Sequence, residues 1–108
     1  MTNVKIVTFV PIADADKIRE AIGNAGAGQI GEYSFCSYSV IGKGRFVPSG
    51  KANPHIGTAN KLEAVEEERI EVVCERTKAK AVIEAMRHAH PYEEVAFDIY
   101  PLISEEEL

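Results

Sequence analysis

The chain has 108 residues, a formal net charge of −5 and 45% hydrophobic residues. This length fits one domain, residues 1–108, with a single modest core. The acidic balance disfavours a general nucleic-acid-binding protein, and no apolar run approaches the roughly 20 residues that span a bilayer. The N-terminus lacks the pattern of a secretory signal peptide, so we expect a cytoplasmic protein that does not bind membranes.

The first part of the chain predicts a strand followed by a helix. Residues 4–10 are β-branched and aromatic, and Pro11 ends this strand-like run. Asp14 is a candidate helix cap, and glycines from Gly23 onward end the helical pattern. The apolar residues that recur at helical spacing between them are Ile18, Ala21, Ile22 and Ala25.

The middle of the chain predicts a second strand and a long loop. Residues 32–41 are rich in Tyr, Ser and Phe, and a glycine-rich loop follows at residues 42–60, with room for a short strand at 45–47. Residues 68–75 alternate between apolar and charged side chains, which predicts a third strand. Its buried face would carry Ile70, Val72 and Cys74.

The last third predicts a helix and a final strand. Thr77 is a candidate cap for the second helix, and Pro91 ends it. Val95, Phe97 and Ile99 mark the last strand, which Pro101 closes, and residues 104–108 form an acidic tail that we expect to be frayed.

This order, β-α-β-β-α-β, predicts an α+β domain of the ferredoxin-like type. Two helices would cover one face of an antiparallel four-stranded sheet, and the other face would stay open. An open face must be polar or covered by a partner. The second strand distributes aromatic and apolar residues over both of its faces, which favours a homo-oligomer. These residues are Tyr33, Phe35, Tyr38 and Val40.

Cys36 and Cys74 lie in strand-like segments and have no zinc-type spacing. We expect both to be buried and inert, in preference to a redox or disulfide role.

The loop at residues 42–60 carries Lys43, Arg45 and Lys51 but no carboxylate. Long loops in compact domains are usually functional or disordered. In one interpretation its glycines and cations hold a small anion, although the spacing is not that of a P-loop. In a second, its apolar residues Phe46 and Ile56, with Val47, pack on a neighbouring subunit near the acidic segment 63–71. In a third it is a solvated loop.

The histidines His55, His88 and His90 are weak candidates for metal ligands. Positions i and i+2 of a helix point about 200° apart, so His88 and His90 can share a metal only if the helix ends between them. Complementing the negative end of the helix is the simpler role, and a polar site formed with Glu93 or Glu94 is the other.

Carboxylates cluster in two places. The run at residues 66–68 predicts a solvated face, because consecutive strand residues point alternately. Tyr92, Glu93 and Glu94 lie at a turn without an accompanying nucleophile, so the pattern predicts no catalytic residue.

Several of these segments together resemble one family. They are Gly28-Gln-Ile-Gly31, Gly44-Arg-Phe46 with Pro48, Asn53-Pro54 with Ile56-Gly57, Glu67 to Glu71, His90-Pro-Tyr-Glu-Glu94 and Asp98-Ile-Tyr-Pro101. Over residues 4–103 the chain resembles the domain that is inserted into the YqfO proteins of the Nif-three-like family. That domain is similar to the CutA and PII folds.

The resemblance implies a CutA/PII-like oligomer, with a trimer favoured and a dimer as the rival. The larger family members carry a two-metal site whose ligands lie in flanking domains, and the sequence looks like a stand-alone version of the inserted module. We therefore do not carry over the label of GTP cyclohydrolase or metal-dependent hydrolase.

The sequence thus predicts a binding or regulatory module without a cofactor, in preference to an enzyme. Its ligand would be a small anion or a protein partner, held at inter-subunit clefts. The site residues would be Lys43, Arg45, Lys51, His55, His90, Tyr92, Glu93 and Glu94. The alternative is a metal-dependent hydrolase of the Nif-three-like kind that uses His55, His88, His90 and nearby glutamates.

Overall fold

The computed structural model describes residues 2–108. Its four strands are β1 (Asn3–Pro11), β2 (Tyr38–Phe46), β3 (Glu63–Glu75) and β4 (Phe97–Pro101), and its helices are α1 (Ala15–Asn24) and α2 (Ala79–Ala89). The strands form one sheet in the order β2-β3-β1-β4, and every neighbouring pair is antiparallel. This is the predicted ferredoxin-like arrangement. Within residues 2–108, no helix is long and apolar enough to cross a membrane.

The core lies between the two helices and one face of the sheet. Alternation along β1 and β3 directs Ile6 and Ile70 to this face, and α1 and α2 contribute Ile18, Val82 and Met86. Each of these five side chains is at most 1% exposed. Cys74 belongs to the same core, and burial raises the pKa of its thiol. The prediction of an inert Cys74 agrees with this position, whereas Cys36 is half-buried and lies outside any strand.

The helix caps differ from the predicted ones. Each helix is preceded by a short 3-10 turn, at Ile12–Asp14 and at Arg76–Lys78, which continues into the helix. Asp14 stands at the N-cap position of α1 but makes no side-chain capping bond, and Thr77 lies inside the turn while Lys78 takes the cap position of α2. The strand-to-helix connection is so tight that backbone geometry replaces side-chain caps.

The prediction of a strand at residues 32–41 is wrong for its first half. β2 begins only at Tyr38, because the chain before it turns through left-handed conformations at Gly28, Gly31 and Phe35. Gly28 donates its N–H to the carbonyl of Val73, 2.8 Å away. This segment therefore lies beside β3 without forming a regular strand.

The long loop is shorter than predicted, because β2 continues to Phe46 and β3 already begins at Glu63. Lys43 pairs directly with Glu66 in this extension, and opposite charges at paired positions favour pairing of the strands. The loop proper covers residues 47–62, and the N–H of Asn60 donates to the carbonyl of Pro48 across 2.6 Å. At the other end of the chain, the tail forms a short exposed 3-10 turn at Glu105–Glu107.

The open face of the sheet is partly polar and partly apolar. Glu71 on β3 accepts from Lys5 Nζ at 3.2 Å and from Arg69 Nε at 3.1 Å, and these ion pairs cover the middle of the face. Around them Tyr38 and Tyr100 remain 66% and 42% exposed. The face thus combines ion pairs with exposed aromatic side chains.

Candidate functional site

A cleft of about 790 Å³ lies on the open face, where the β2–β3 hairpin meets the segment between α2 and β4. Its floor comes from strand residues whose side chains share this face, including Phe9, Val40, Phe46, Glu67 and Arg69. Residues of the hairpin loop form one wall, and residues 92–96 form the other. Most of the lining is apolar, with a few polar groups that could orient a ligand.

His90 ends α2 and thereby positions the segment that forms the second wall of the cleft. It lies at the C-cap of α2 with extended backbone, as expected for a residue before proline, and it is only 7% exposed. The pairing of β1 with β4 ends at Thr8, and the next carbonyl, that of Phe9, accepts from His90 Nε2 at 2.7 Å. The other ring nitrogen, Nδ1, accepts the N–H of Tyr92 at 3.1 Å.

These two hydrogen bonds determine the protonation state and the tautomer of the His90 ring. Nδ1 can accept only when it is unprotonated, so the ring is the neutral tautomer with its proton on Nε2. Burial lowers the pKa of His90, which favours the same neutral form. Both ring nitrogens are therefore used by backbone groups, and His90 positions the turn that carries Tyr92.

Tyr92 and Glu67 form a hydrogen bond at the bottom of the cleft. The Tyr92 hydroxyl donates to Glu67 Oε2 at 2.8 Å, and Glu67 is 7% exposed. Burial, and then the hydrogen bond with the Glu67 carboxylate, raise the pKa of the Tyr92 hydroxyl well above its ordinary value. The tyrosine is therefore a neutral donor, as the bond requires.

Gly44 makes room for this pair. It lies on the same face of the hairpin as Glu67, and a methyl group in place of its hydrogen would overlap the Glu67 carboxylate. Gly42, two residues earlier on the same face, has open space around it. Of these two glycines, Gly44 is the one at which a side chain would force the Glu67 carboxylate to move.

The run at residues 66–68 was predicted to be a solvated face, and this is wrong for two of its three members. Alternation leaves Glu66 exposed, whereas Glu67 points into the cleft and Glu68 pairs with Arg19 at 2.6 Å under the helices. Sequence reasoning missed Glu67 as a site residue. The run of three glutamates gives no preference for Glu67 over its neighbours, so the one available signal was the glycine spacing of the facing strand.

The other predicted site residues divide into two groups. Around the cleft, His55 and Phe46 place their ring centroids 6.3 Å and 6.2 Å from that of Tyr92, and Glu93 accepts the N–H of Asn53 at 3.1 Å, which ties the loop to the turn. Glu94 also lines the cleft.

The second group consists of the three cationic residues of the hairpin, whose side chains do not come together at one site. Lys43 and Arg45 border the cleft, but strand alternation directs their side chains away from the face of Gly44 and Glu67. Lys51 is exposed near the tip of the loop. His88 is exposed on α2, and residues 2–108 contain no group of three or more His, Cys, Asp or Glu side chains suited to a metal ion.

Comparison with known proteins identifies related sequences and folds. The chain is 48% identical over 103 residues to the GTP cyclohydrolase 1 type 2 homolog of Halalkalibacterium halodurans, covering 95% of this chain and 28% of the relative. It is 51% identical over 98 residues to the Bacillus subtilis protein of the same name, covering 91% of this chain and 26% of the relative. The chain therefore spans about a quarter of the length of these curated relatives, and no protein-family model matches it.

Comparison with solved structures also identifies relatives of this chain. A Bacillus cereus protein related to NIF3 superposes with a TM-score of 0.84 at 47% identity, over 95% of this chain and 26% of that one. CutA from Archaeoglobus fulgidus superposes with a TM-score of 0.69 at 18% identity, over 98% of this chain and 91% of that one, which shows the fold alone. The chain is therefore a relative of the CutA- and PII-like domain of the YqfO (Nif-three-like) family.

Proposed function

We propose that the chain is a binding module whose ligand occupies the cleft between the β2–β3 hairpin and the 92–96 segment. The observation that carries this proposal is the cleft itself. It has about 790 Å³ of space, an aromatic lining and a buried carboxylate–phenol pair at its bottom. Specific small-molecule sites combine these features, namely concavity, apolar walls and a few fixed polar groups.

The module works as a homo-oligomer in this proposal, a trimer in preference to a dimer. Exposed apolar side chains support this assembly: Val40, on the cleft floor, is 43% exposed, and Tyr38, which continues the open face beside it, is 66% exposed. Val47, at the start of the loop, is 57% exposed. A neighbouring copy that covers these side chains would form the outer wall of the cleft.

The predicted anionic ligand is less well supported than a neutral or cationic ligand. Lys43 and Arg45 point away from the cleft floor, and its charged lining combines Arg69 with Glu67, Glu93 and Glu94. The metal-dependent hydrolase is also unsupported, because both ring nitrogens of His90 are bound to backbone groups. We therefore treat the cleft as a binding site rather than a catalytic one.

Two measurements test the proposal. Sedimentation velocity at micromolar concentration gives the assembly, and Tyr38→Lys should shift it toward the monomer, whereas Thr58→Lys in the exposed loop should not. NMR titration of the labelled chain against nucleotides, phosphorylated metabolites, amines and divalent metals should perturb the amides around Phe46, Glu67 and Tyr92. A monomeric chain whose cleft amides respond to no member of the panel would refute the proposed function.

A further inference from the structure

The Glu67 carboxylate uses only one of its two oxygens within the described chain. Oε2 accepts the Tyr92 hydroxyl at 2.8 Å, whereas Oε1 lies against Gly44 and no side-chain or backbone donor of residues 2–108 bonds it. Glu67 is nevertheless 93% buried, with 7% exposure, and borders the cleft. Because residues 2–108 contain no buried side-chain oxygen that lacks a hydrogen-bond partner, Oε1 is reached by solvent from outside the chain. A cationic donor that enters the cleft can displace this water and form a charge-assisted hydrogen bond with Oε1.

Among residues 2–108, Glu67 also has no cationic partner. The one cation whose side chain shares its face in the cleft is Arg69, two residues away on β3. Arg69 Nε is bound to Glu71 at 3.1 Å, and the Arg69 guanidinium lies 5.8 Å from the centre of the Phe9 ring. Arg69 is therefore bound to Glu71, which it shares with Lys5, and not to Glu67.

The walls above Glu67 are aromatic. The ring of Tyr92 has those of Phe46 and His55 near it, with centroids 6.2 Å and 6.3 Å away. Aromatic faces attract cations through their quadrupole, and this attraction grows when the cation is shielded from water. At the mouth of the cleft, Glu93 and Glu94 add negative charge. Arg69 shares the floor of the cleft, but an organic cation that reaches the bottom would meet the Glu67 carboxylate there and aromatic rings beside it.

We propose that Glu67 anchors the primary ammonium or guanidinium head of a small organic cation in this cleft, with Phe46 and Tyr92 beside that head. An N–H of the cation donates to Glu67 Oε1, while Oε2 keeps the Tyr92 hydroxyl. The alkyl part of the ligand lies along the apolar lining, which includes Pro54 and Ile56. This inference rests on the proposed function, because it assigns a ligand class to the same cleft.

The test uses n-butylammonium and n-butylguanidinium chloride as probes, with sodium butyrate and inorganic phosphate as anionic controls. Each is titrated into the labelled chain, and dissociation constants are taken from the amide shifts of the cleft residues. Both cations should bind saturably, and the two anions should not. Glu67→Gln removes the charge but keeps an acceptor for Tyr92, and we expect it to weaken cation binding by about tenfold or more.

Two further variants separate the cation site from general effects. Glu66→Gln removes the same charge from the neighbouring exposed position, on the opposite face of β3, and should leave the dissociation constants unchanged. Phe46→Leu keeps bulk and Glu67 but removes one ring, and should weaken cation binding severalfold.

The outcomes distinguish this inference from the proposed function. Saturable binding of neither cation, or equal affinities for wild type and Glu67→Gln, overturns the cation site. If the cleft amides then respond to another ligand of the panel, the binding module stands and only its ligand class is wrong. If they respond to nothing and the chain is monomeric, both proposals fail.

Discussion

Stability should fall on mild acidification because of His90. In the folded chain its Nδ1 accepts the Tyr92 N–H and its Nε2 donates to the Phe9 carbonyl, so a second proton would place two donors face to face. Burial lowers the pKa of His90 in the folded state, whereas an unfolded histidine titrates near its ordinary pKa of about 6.5. Below that pH the unfolded chain binds more protons than the folded chain, and stability therefore decreases as the pH falls.

The size of the effect follows from the linkage. One group that is protonated in the unfolded chain and unprotonated in the folded chain changes the free energy of unfolding by at most about 1.4 kcal/mol for each pH unit. The loss begins near the unfolded pKa and ends at the lower folded pKa. Above about pH 7.5 both states are neutral and His90 contributes no pH dependence.

Urea unfolding at several pH values between 7.5 and 5 measures this slope. His90→Gln can donate and accept at similar positions without titrating, so the slope of the wild type relative to this variant isolates His90. His88→Gln is the matched control, because His88 is exposed two residues earlier on α2. An identical slope for wild type and His90→Gln would show that the two hydrogen bonds do not hold the ring neutral.

Three substitutions test the remaining packing of the domain by the same urea measurement. Gly44→Ala should lower the free energy of unfolding by about 1–3 kcal/mol, because its methyl group displaces the Glu67 carboxylate. Gly42→Ala on the same face should change this free energy by no more than about 0.5 kcal/mol. Equal effects of the two substitutions would contradict the packing. Tyr92→Phe should lower the free energy of unfolding by about 1–3 kcal/mol, because the Glu67 carboxylate then loses the hydroxyl that donates to it. An unchanged free energy of unfolding would show that this hydrogen bond does not stabilise the fold. Met86→Ala should cost about 2–5 kcal/mol, since Met86 is fully buried between the helices and the sheet, and a cost below about 1 kcal/mol would mean that the core refills the space.

The fold could be predicted from the sequence because its signals are local. Alternation in residues 68–75, helical spacing after Asp14 and the proline at 91 each fix one element, and together they leave one simple topology. The segment before Tyr38 was not predictable in the same way. Its strand-like composition is overridden by left-handed glycines and by Phe35, whose ring lies over Gly23 of α1.

The cleft could be predicted only in part, because its chemistry depends on pairing between distant strands. The sequence prediction assigned residues of the loop and of the 90–94 turn to the same inter-subunit clefts, but the side of the hairpin on which each cation lies depends on the register of β2 against β3. That register directs Lys43 and Arg45 away and turns Gly44 toward Glu67. A one-residue difference in strand start therefore changes the chemistry of the site completely.

The same register also explains why one small domain can present a carboxylate inside an aromatic cleft. Glu67 and Glu68 are adjacent, yet alternation sends Glu68 to Arg19 beneath α1 and Glu67 to Tyr92 on the open face. The ion pair with Arg19 holds β3 against the helix layer, and the His90 hydrogen bonds hold the turn that carries Tyr92. Both supports lie outside the cleft, so the Glu67 oxygen that faces Gly44 stays available to a donor that the domain itself does not supply.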